Sequence, residues 1–274
     1  MSLLSIDESK CKQDGFCVRD CPRGIIRLKG KDSYPQLVPG SEPLCLICGH
    51  CVAVCPHGAL SHKMVPIEDC PPIQKEQVIN KAQVVQFLRS RRSIRVFKDR
   101  PVEKEKIQAL IEIARYAPTA SNTQRVEWLV FNDRSTIKAF AQMAADWARD
   151  LLAKNPQAAK FPYISAIVAA WDAGYDAVLR NAPAMVVASA PGEDRYGLVN
   201  VTLALSYLEL AAPGMGLGTC WAGLLQGALL DWSPLQNAIS LPDGHSHHYP
   251  MMLGYPNAKY FRLPERKPPK ITWK

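Results

Sequence analysis

The stretch from Cys45 to Pro56 restricts this chain more than any other. It reads Cys-Leu-Ile-Cys-Gly-His-Cys-Val-Ala-Val-Cys-Pro, a Cys-x2-Cys-x2-Cys-x3-Cys-Pro spacing. Three thiolates two residues apart can all turn toward one cube of iron and sulfide. The fourth, followed by proline, leaves in another direction and serves a second cluster. Zinc sites come as two separated Cys-x2-Cys pairs closing one tetrahedron, and three ligands inside seven residues fit that badly. The second cluster has a half-motif of its own upstream. Cys11, Cys17 and Cys21-Pro22 occupy the first, third and fourth places of the same spacing, with Asp14 in the second.

Two such runs make residues 5 to 62 resemble a two-cluster bacterial ferredoxin. The family's crossover rule implies that Cys45, Cys48, Cys51 and Cys21 hold one 4Fe-4S cluster, and that Cys11, Cys17, Cys55 and Asp14 hold the other. A carboxylate is a harder ligand than a thiolate, so iron at Asp14 is expected to be labile. In the competing reading Asp14 is a turn residue before Gly15 and that cluster is 3Fe-4S. Ligand chemistry favours a ligating Asp14.

Seven of the nine cysteines lie in the two runs, which argues against a secreted disulfide scaffold. The start Met-Ser-Leu-Leu-Ser-Ile lacks the charged-then-apolar form of a signal peptide, so a reducing cytoplasm is expected. Of the two remaining cysteines, Cys70 is read as incidental and Cys220 as a packing residue. Leu210 to Leu230 carries no charge and is long enough to span a bilayer. It also holds Pro213 and five glycines between Glu209 and Asp231, so a buried core segment is expected and no membrane span. The net charge of +8 is concentrated at Arg89, Arg91, Arg92, Arg95, Lys98 and Arg100, and again at Arg262, Arg266, Lys267 and Lys270. No nucleic-acid-binding motif accompanies these clusters, so a nucleic-acid partner is not expected; a phosphate-bearing cofactor is the competing explanation.

With 274 residues there is room for a small domain and one of ordinary size. Residues 1–62 form the iron–sulfur domain, and 63–74, with Pro66, Pro71 and Pro72, read as a linker. Residues 75–274 form the second domain. Helical periodicity is expected over 75–90 and again after Pro101, stopping before Pro118. Trp128–Phe131, Ala184–Ala190 and Tyr249–Tyr255 have strand character. Residues 134–153 and 163–180 read as helices. Leu198–Ala212 is apolar nearly all round and must be buried on most sides, in a core or a subunit interface.

Arg91-Arg92-Ser93-Ile94-Arg95 offers three guanidiniums and a hydroxyl in five residues, which suits a phosphate. This motif, Ala117-Pro118-Thr119-Ala120-Ser121-Asn122-Thr123-Gln124, the Gly216 to Gly223 turn and Leu253-Gly254-Tyr255-Pro256 occur in the order found in the flavin-dependent nitroreductase family. Together with the amino-terminal runs, the chain resembles ferredoxin–nitroreductase fusion proteins. The resemblance implies an α+β fold, with a central, mostly antiparallel sheet flanked by helices. It implies an FMN phosphate held by Arg91, Arg92, Ser93 and Arg95, completed by Arg266 with Arg262 and Lys267 as competitors. It puts Pro118, Thr119, Ala120, Ser121 and Asn122 along the flavin, often the partner subunit's, with the Asn122 amide bonding the ring or ribityl chain. Trp221, Ala222 and Gly223 fall near its reactive edge, where an N–H can stabilise charge on the reduced ring.

One departure stands out. Many members follow Asn-x-Gln with Pro-Trp, whereas here Gln124 precedes Arg125-Val126-Glu127. No Gly-x-Gly-x-x-Gly fingerprint and no P-loop are present, so any nicotinamide would stack transiently on the flavin. No side chain is assigned as a catalytic acid or base; Trp147, Tyr163 and Trp171 are lid candidates at most, with core packing expected for each. The leading expectation is an FMN-dependent oxidoreductase that draws on the clusters, works on a small organic acceptor and forms a cytoplasmic homodimer. Its electron donor would be a protein or a nicotinamide. The alternative is a redox, iron or oxygen sensor without turnover.

Overall fold

The structure, a computed structural model, describes residues 2–30, 32–155, 157 and 160–274. It separates into two compact units, Met1–Ile79 with Ser121–Thr123, and Asn80–Ala120 with Gln124–Lys274.

In the first unit, β1 (Leu4–Ile6), α1 (Phe16–Asp20), β2 (Ile26–Arg27), β3 (Gln36–Leu37), α2 (His50–Ala53) and β4 (Leu60–His62) follow one another. β1 pairs antiparallel with β4, Leu4 opposite His62, and β2 pairs antiparallel with β3. Each helix starts directly after a left-handed glycine, Gly15 (φ 70°) before α1 and Gly49 (φ 71°) before α2. A residue with a Cβ adopts that conformation only at a cost, so both cysteine runs carry glycine where the chain must turn from loop to helix. Cys17, Ile25, Ile26, Val52 and Leu60 form the small core between these elements.

The second unit opens with α3 (Lys81–Ser90) and α4 (Lys104–Ala114), then β5 (Glu127–Phe131), α5 (Arg134–Lys154), α6 (Pro162–Asp172) and β6 (Ala184–Pro191). It continues with α7 (Gly197–Ala211), β7 (Gly218–Trp221), α8 (Gly223–Asp231), α9 (Ser233–Ile239) and β8 (His245–Gly254). The sheet order is β5-β6-β8-β7 and every pairing is antiparallel. The α+β class is thus realised with a wholly antiparallel sheet. All of β6 is buried. Its Val186 and Ala188 face a core built with Leu110 of α4 and with Leu205 and Leu208 of α7; Met185 and Val187 face the opposite core, with Phe140, Ile167 and Leu225. Alternate residues of a strand point to opposite faces, so a strand covered by helices on both sides is apolar along nearly its whole length, with Ser189 as the exception.

Several expected boundaries move. The helix expected over 75–90 is a 3-10 turn, Lys75–Gln77, followed by α3. A capping box starts α3: Gln83 N–H donates to Asn80 Oδ1 at 3.0 Å, and Asn80 N–H donates to Gln83 Oε1 at 2.8 Å. The helix expected over 163–180 ends at Asp172. Beyond it Gly174 is left-handed, and Asp176 Oδ1 accepts the N–H groups of Val178 and Leu179 at 2.9 and 2.8 Å, a turn that competes with the helix. β8 begins at His245, ahead of the expected Tyr249. The uncharged Leu210–Leu230 stretch breaks into the end of α7, a 3-10 turn at Ala212–Met215, β7 and most of α8.

α7 is not covered on most sides in the single chain. Val201, Ala204, Leu205 and Leu208 are buried, whereas Leu198, Val199 and Tyr207 stay exposed. With the turn after it, Gly197–Met215, this is the one described helix long and apolar enough, by composition, to cross a membrane. Its apolar inner face is taken up by the core on the sheet.

Candidate functional site

Two cavities in the first unit are walled by the two cysteine sets. Cys21, Cys45, Cys48 and Cys51 line one, together with apolar Ile26 and Leu37 and with His62. Cys11, Asp14, Cys17 and Cys55 line the other, with His57 beside them. All the thiols are free. Among the described residues no three His, Cys, Asp or Glu converge on a single-ion site. Burial pushes the Cys51 thiol up to about 11, and the neighbouring Cys48, Cys45 and Cys21 add to the rise. Burial likewise raises Cys17, with Cys55 contributing. A thiolate is the ligating form. Cys21, Cys45, Cys48 and Cys51 around a cavity walled by Ile26 and Leu37 are a soft donor set that fits an iron–sulfur core.

Asp14 is engaged twice. Its Oδ1 accepts the Phe16 N–H at 3.1 Å, as expected of a turn residue before Gly15, and its Oδ2 lies 3.3 Å from His57 Nε2. His62 went unnoticed in the sequence. It is 2% exposed; its Nδ1 accepts the Met64 N–H at 3.0 Å and its Nε2 stands 3.5 Å from Cys45 Sγ. Burial pushes its pKa down. The available signal was strand alternation, since Leu60 and His62 share the inward face of β4.

In the second unit, the Arg91–Arg95 motif leaves α3 and is pinned by backbone. Ile94 N–H donates to the Thr219 carbonyl at 2.8 Å, Lys98 N–H to Tyr255 at 2.8 Å, and Asn257 N–H to Val96 at 2.9 Å. A Cβ at Gly218 would come within 2.3 Å of Ile94 Cγ1. That close approach accounts for a glycine in β7. The motif's side chains then diverge. Arg91 Nη1 donates to Glu209 Oε1 at 3.0 Å, and the other oxygen of this buried carboxylate accepts the Trp221 Nε1–H at 3.1 Å. Arg92 lies over the Tyr260 ring, 5.6 Å from its centroid. A cleft lined by Arg89, Arg91, Arg92, Glu265, Arg266 and Lys267 brings the motif to the carboxy-terminal basic residues. Glu265 there pairs with Arg89 at 2.9 Å. Ser93, Arg95 and Arg262 are not among its walls.

The Asn122 amide, expected on the flavin, instead donates to the carbonyls of Leu46 and Ile47 at 3.0 and 3.1 Å. Ala120 N–H donates to Asn200 Oδ1 at 3.1 Å, and Gln124 N–H to Thr119 Oγ1 at 3.0 Å. Ser121 and Asn122 are both left-handed, with φ of 52° and 55°. Of the Trp221–Gly223 amides, that of Ala222 is consumed by the Pro250 carbonyl at 3.0 Å, whereas Gly223 opens α8, where first-turn amides have no intrahelical acceptor. The Trp221 ring meets Tyr249 edge-on at 5.0 Å. Neither Pro118–Ala120 nor Trp221–Gly223 lines the basic cleft. Trp147 and Trp171 pack in the core, Trp171 donating to Gln142 at 2.6 Å, while Tyr163 is exposed. Arg125, at the departure from the family pattern, pairs with Glu193.

Two cysteine-walled cavities in one unit define an iron–sulfur module, carried on the same chain as an α+β unit that holds a basic cleft. The family models make the class specific. The "Nitroreductase family" model matches residues 88–255, and a "4Fe-4S dicluster domain" model matches residues 9–59. The chain belongs to the nitroreductase family and carries a 4Fe-4S dicluster domain ahead of it.

A protein of Archaeoglobus fulgidus, named for NADH dehydrogenase and NAD(P)H nitroreductase, is 32% identical over 88 residues, 30% of this chain and 51% of that protein. The chain therefore spans about half the length of this relative. An FMN reductase (NAD(P)H) of Bacillus subtilis is 26% identical over 191 residues, 67% of this chain and 71% of that protein. The structure of a nitroreductase with bound FMN from Bacteroides fragilis shares the fold with a TM-score of 0.56 at 16% identity, over 71% of this chain and 98% of that one.

Proposed function

We propose that this chain is an FMN-dependent oxidoreductase that reduces a small organic acceptor, a nitro compound, quinone or similar molecule, using electrons held by iron–sulfur clusters in the same polypeptide. The carrying observation is the pair of cavities, each walled by one of the two four-residue sets implied by the crossover rule. When bound, FMN supplies two-electron chemistry and the clusters supply one-electron transfer. Cys21, Cys45, Cys48 and Cys51 hold one 4Fe-4S cluster; Cys11, Cys17, Cys55 and Asp14 hold the other, which is 3Fe-4S where Asp14 lets go. Arg92 and Arg266, with Arg91 braced by Glu209, grip the flavin phosphate. Ser93 and Arg95 support that motif, and the amide of Gly223 is the donor of its turn left for the flavin. Pro118–Asn122 lines the flavin of the partner subunit in a homodimer.

We assign 1–62 to the ferredoxin domain, 63–74 to a linker and 75–274 to the flavin domain, and we place the protein in the cytoplasm. The electron source is a donor protein or a nicotinamide. The test is anaerobic purification with iron, sulfide and flavin quantified, followed by a screen of donors and acceptors. Two clusters and one FMN per chain with turnover of a nitro or quinone acceptor are expected. Loaded protein without turnover would overturn the enzymatic assignment.

A further inference from the structure

We infer that His62 tunes the first cluster by donating its Nε2–H to the sulfur of Cys45. The inference rests on the reading that Cys45 is a ligand of that cluster. The tautomer follows from geometry. The Met64 N–H points at Nδ1 from 3.0 Å, so Nδ1 presents its lone pair and the hydrogen of the neutral ring sits on Nε2. That nitrogen is 3.5 Å from Cys45 Sγ, and the ring lines the same cavity as Cys21, Cys45, Cys48 and Cys51. Only 2% of the residue is exposed, so no water competes for the donor. β4 fixes its backbone through pairing with β1, where His62 lies opposite Leu4. The second cavity contains a histidine too, but His57 Nε2 faces the carboxylate of Asp14 rather than a thiol. The two cavities therefore differ in their polar contacts.

A hydrogen bond to a ligating sulfur withdraws charge and favours the more negative, reduced cluster, and such bonds are among the factors that set cluster potentials. His62 is a positioning and tuning residue, not a ligand. Replacing it with Leu is expected to lower the potential of the first cluster and leave the second where it was. The expected change is about tenfold in the reduced-to-oxidised ratio, which for a one-electron couple is about 59 mV. His62→Gln, whose amide N–H can reach the same place, is expected to restore most of it.

The experiment is an EPR-monitored redox titration of the full chain, parent and both variants, with iron counted in each. The parent, with isotopic nitrogen placed only in histidine, also undergoes pulsed EPR, where a histidine-nitrogen coupling to the first cluster is expected. An unchanged potential in the loaded Leu variant, or no rescue by Gln, would overturn the inference. Should the Leu variant fail to load, the parent's histidine-nitrogen coupling decides, and its absence counts against the inference. A parent that holds no first cluster at all would instead bring down the ligand assignment beneath it.

Discussion

Arg91→Ala separates a structural role from a cofactor-binding one. In the fold Arg91 meets Glu209, whose side chain is 9% exposed against 27% for Arg91, and Trp221 Nε1–H caps the other carboxylate oxygen. Removing the guanidinium leaves that carboxylate with a single neutral donor. Breaking a buried pair by deleting one partner costs about 3–5 kcal/mol, and the partial exposure of Arg91 brings the expectation to about 2–3 kcal/mol. For a domain of this size that is a fall in Tm of roughly 4–12 °C.

Glu209→Gln added to Arg91→Ala should recover at least half the loss by removing the stranded charge. Calorimetry of the parent, Arg91→Ala and the double variant, without added flavin, is the assay. A loss below about 1 kcal/mol, or one unmoved by Glu209→Gln, would refute the bracing role.

Three further outcomes follow from the same geometry. Arg92→Ala and Arg266→Ala each should weaken FMN about tenfold to a hundredfold while leaving riboflavin binding and Tm nearly unchanged, as read by flavin fluorescence titration; equal loss of both flavins would move the phosphate elsewhere. Asp14→Cys should make the second cluster resistant to chelators, because a thiolate replaces a harder oxygen ligand; unchanged decay of the EPR signal would remove Asp14 from the ligand set. The exposed Leu198, Val199 and Tyr207 of α7 should be covered in a homodimer, so sedimentation at low concentration should show FMN leaving as subunits separate, and a monomer that keeps FMN would oppose this.

Covalent spacing alone determined the iron–sulfur module. Cys-x2-Cys-x2-Cys-x3-Cys-Pro constrains which thiols can face one centre because a few residues of chain have few ways to turn, and the glycines at 15 and 49 belong to that local geometry. The long apolar runs of β6 and α7 were legible for a similar reason, since burial of a segment shows in its composition. Boundaries such as the start of α3 depended on single side chains, Asn80 and Gln83, whose caps are weak signals beside periodicity. Only the tertiary structure could decide what distant residues do to one another. Glu209 lies 118 positions from Arg91 and marked only the edge of an uncharged stretch, yet it holds that arginine and Trp221 at once. His62 marked only the end of the iron–sulfur module until folding set its ring against Cys45. Spacing records what neighbours along the chain can reach; contact across the fold depends on how the sheet and helices pack, which no local pattern encodes.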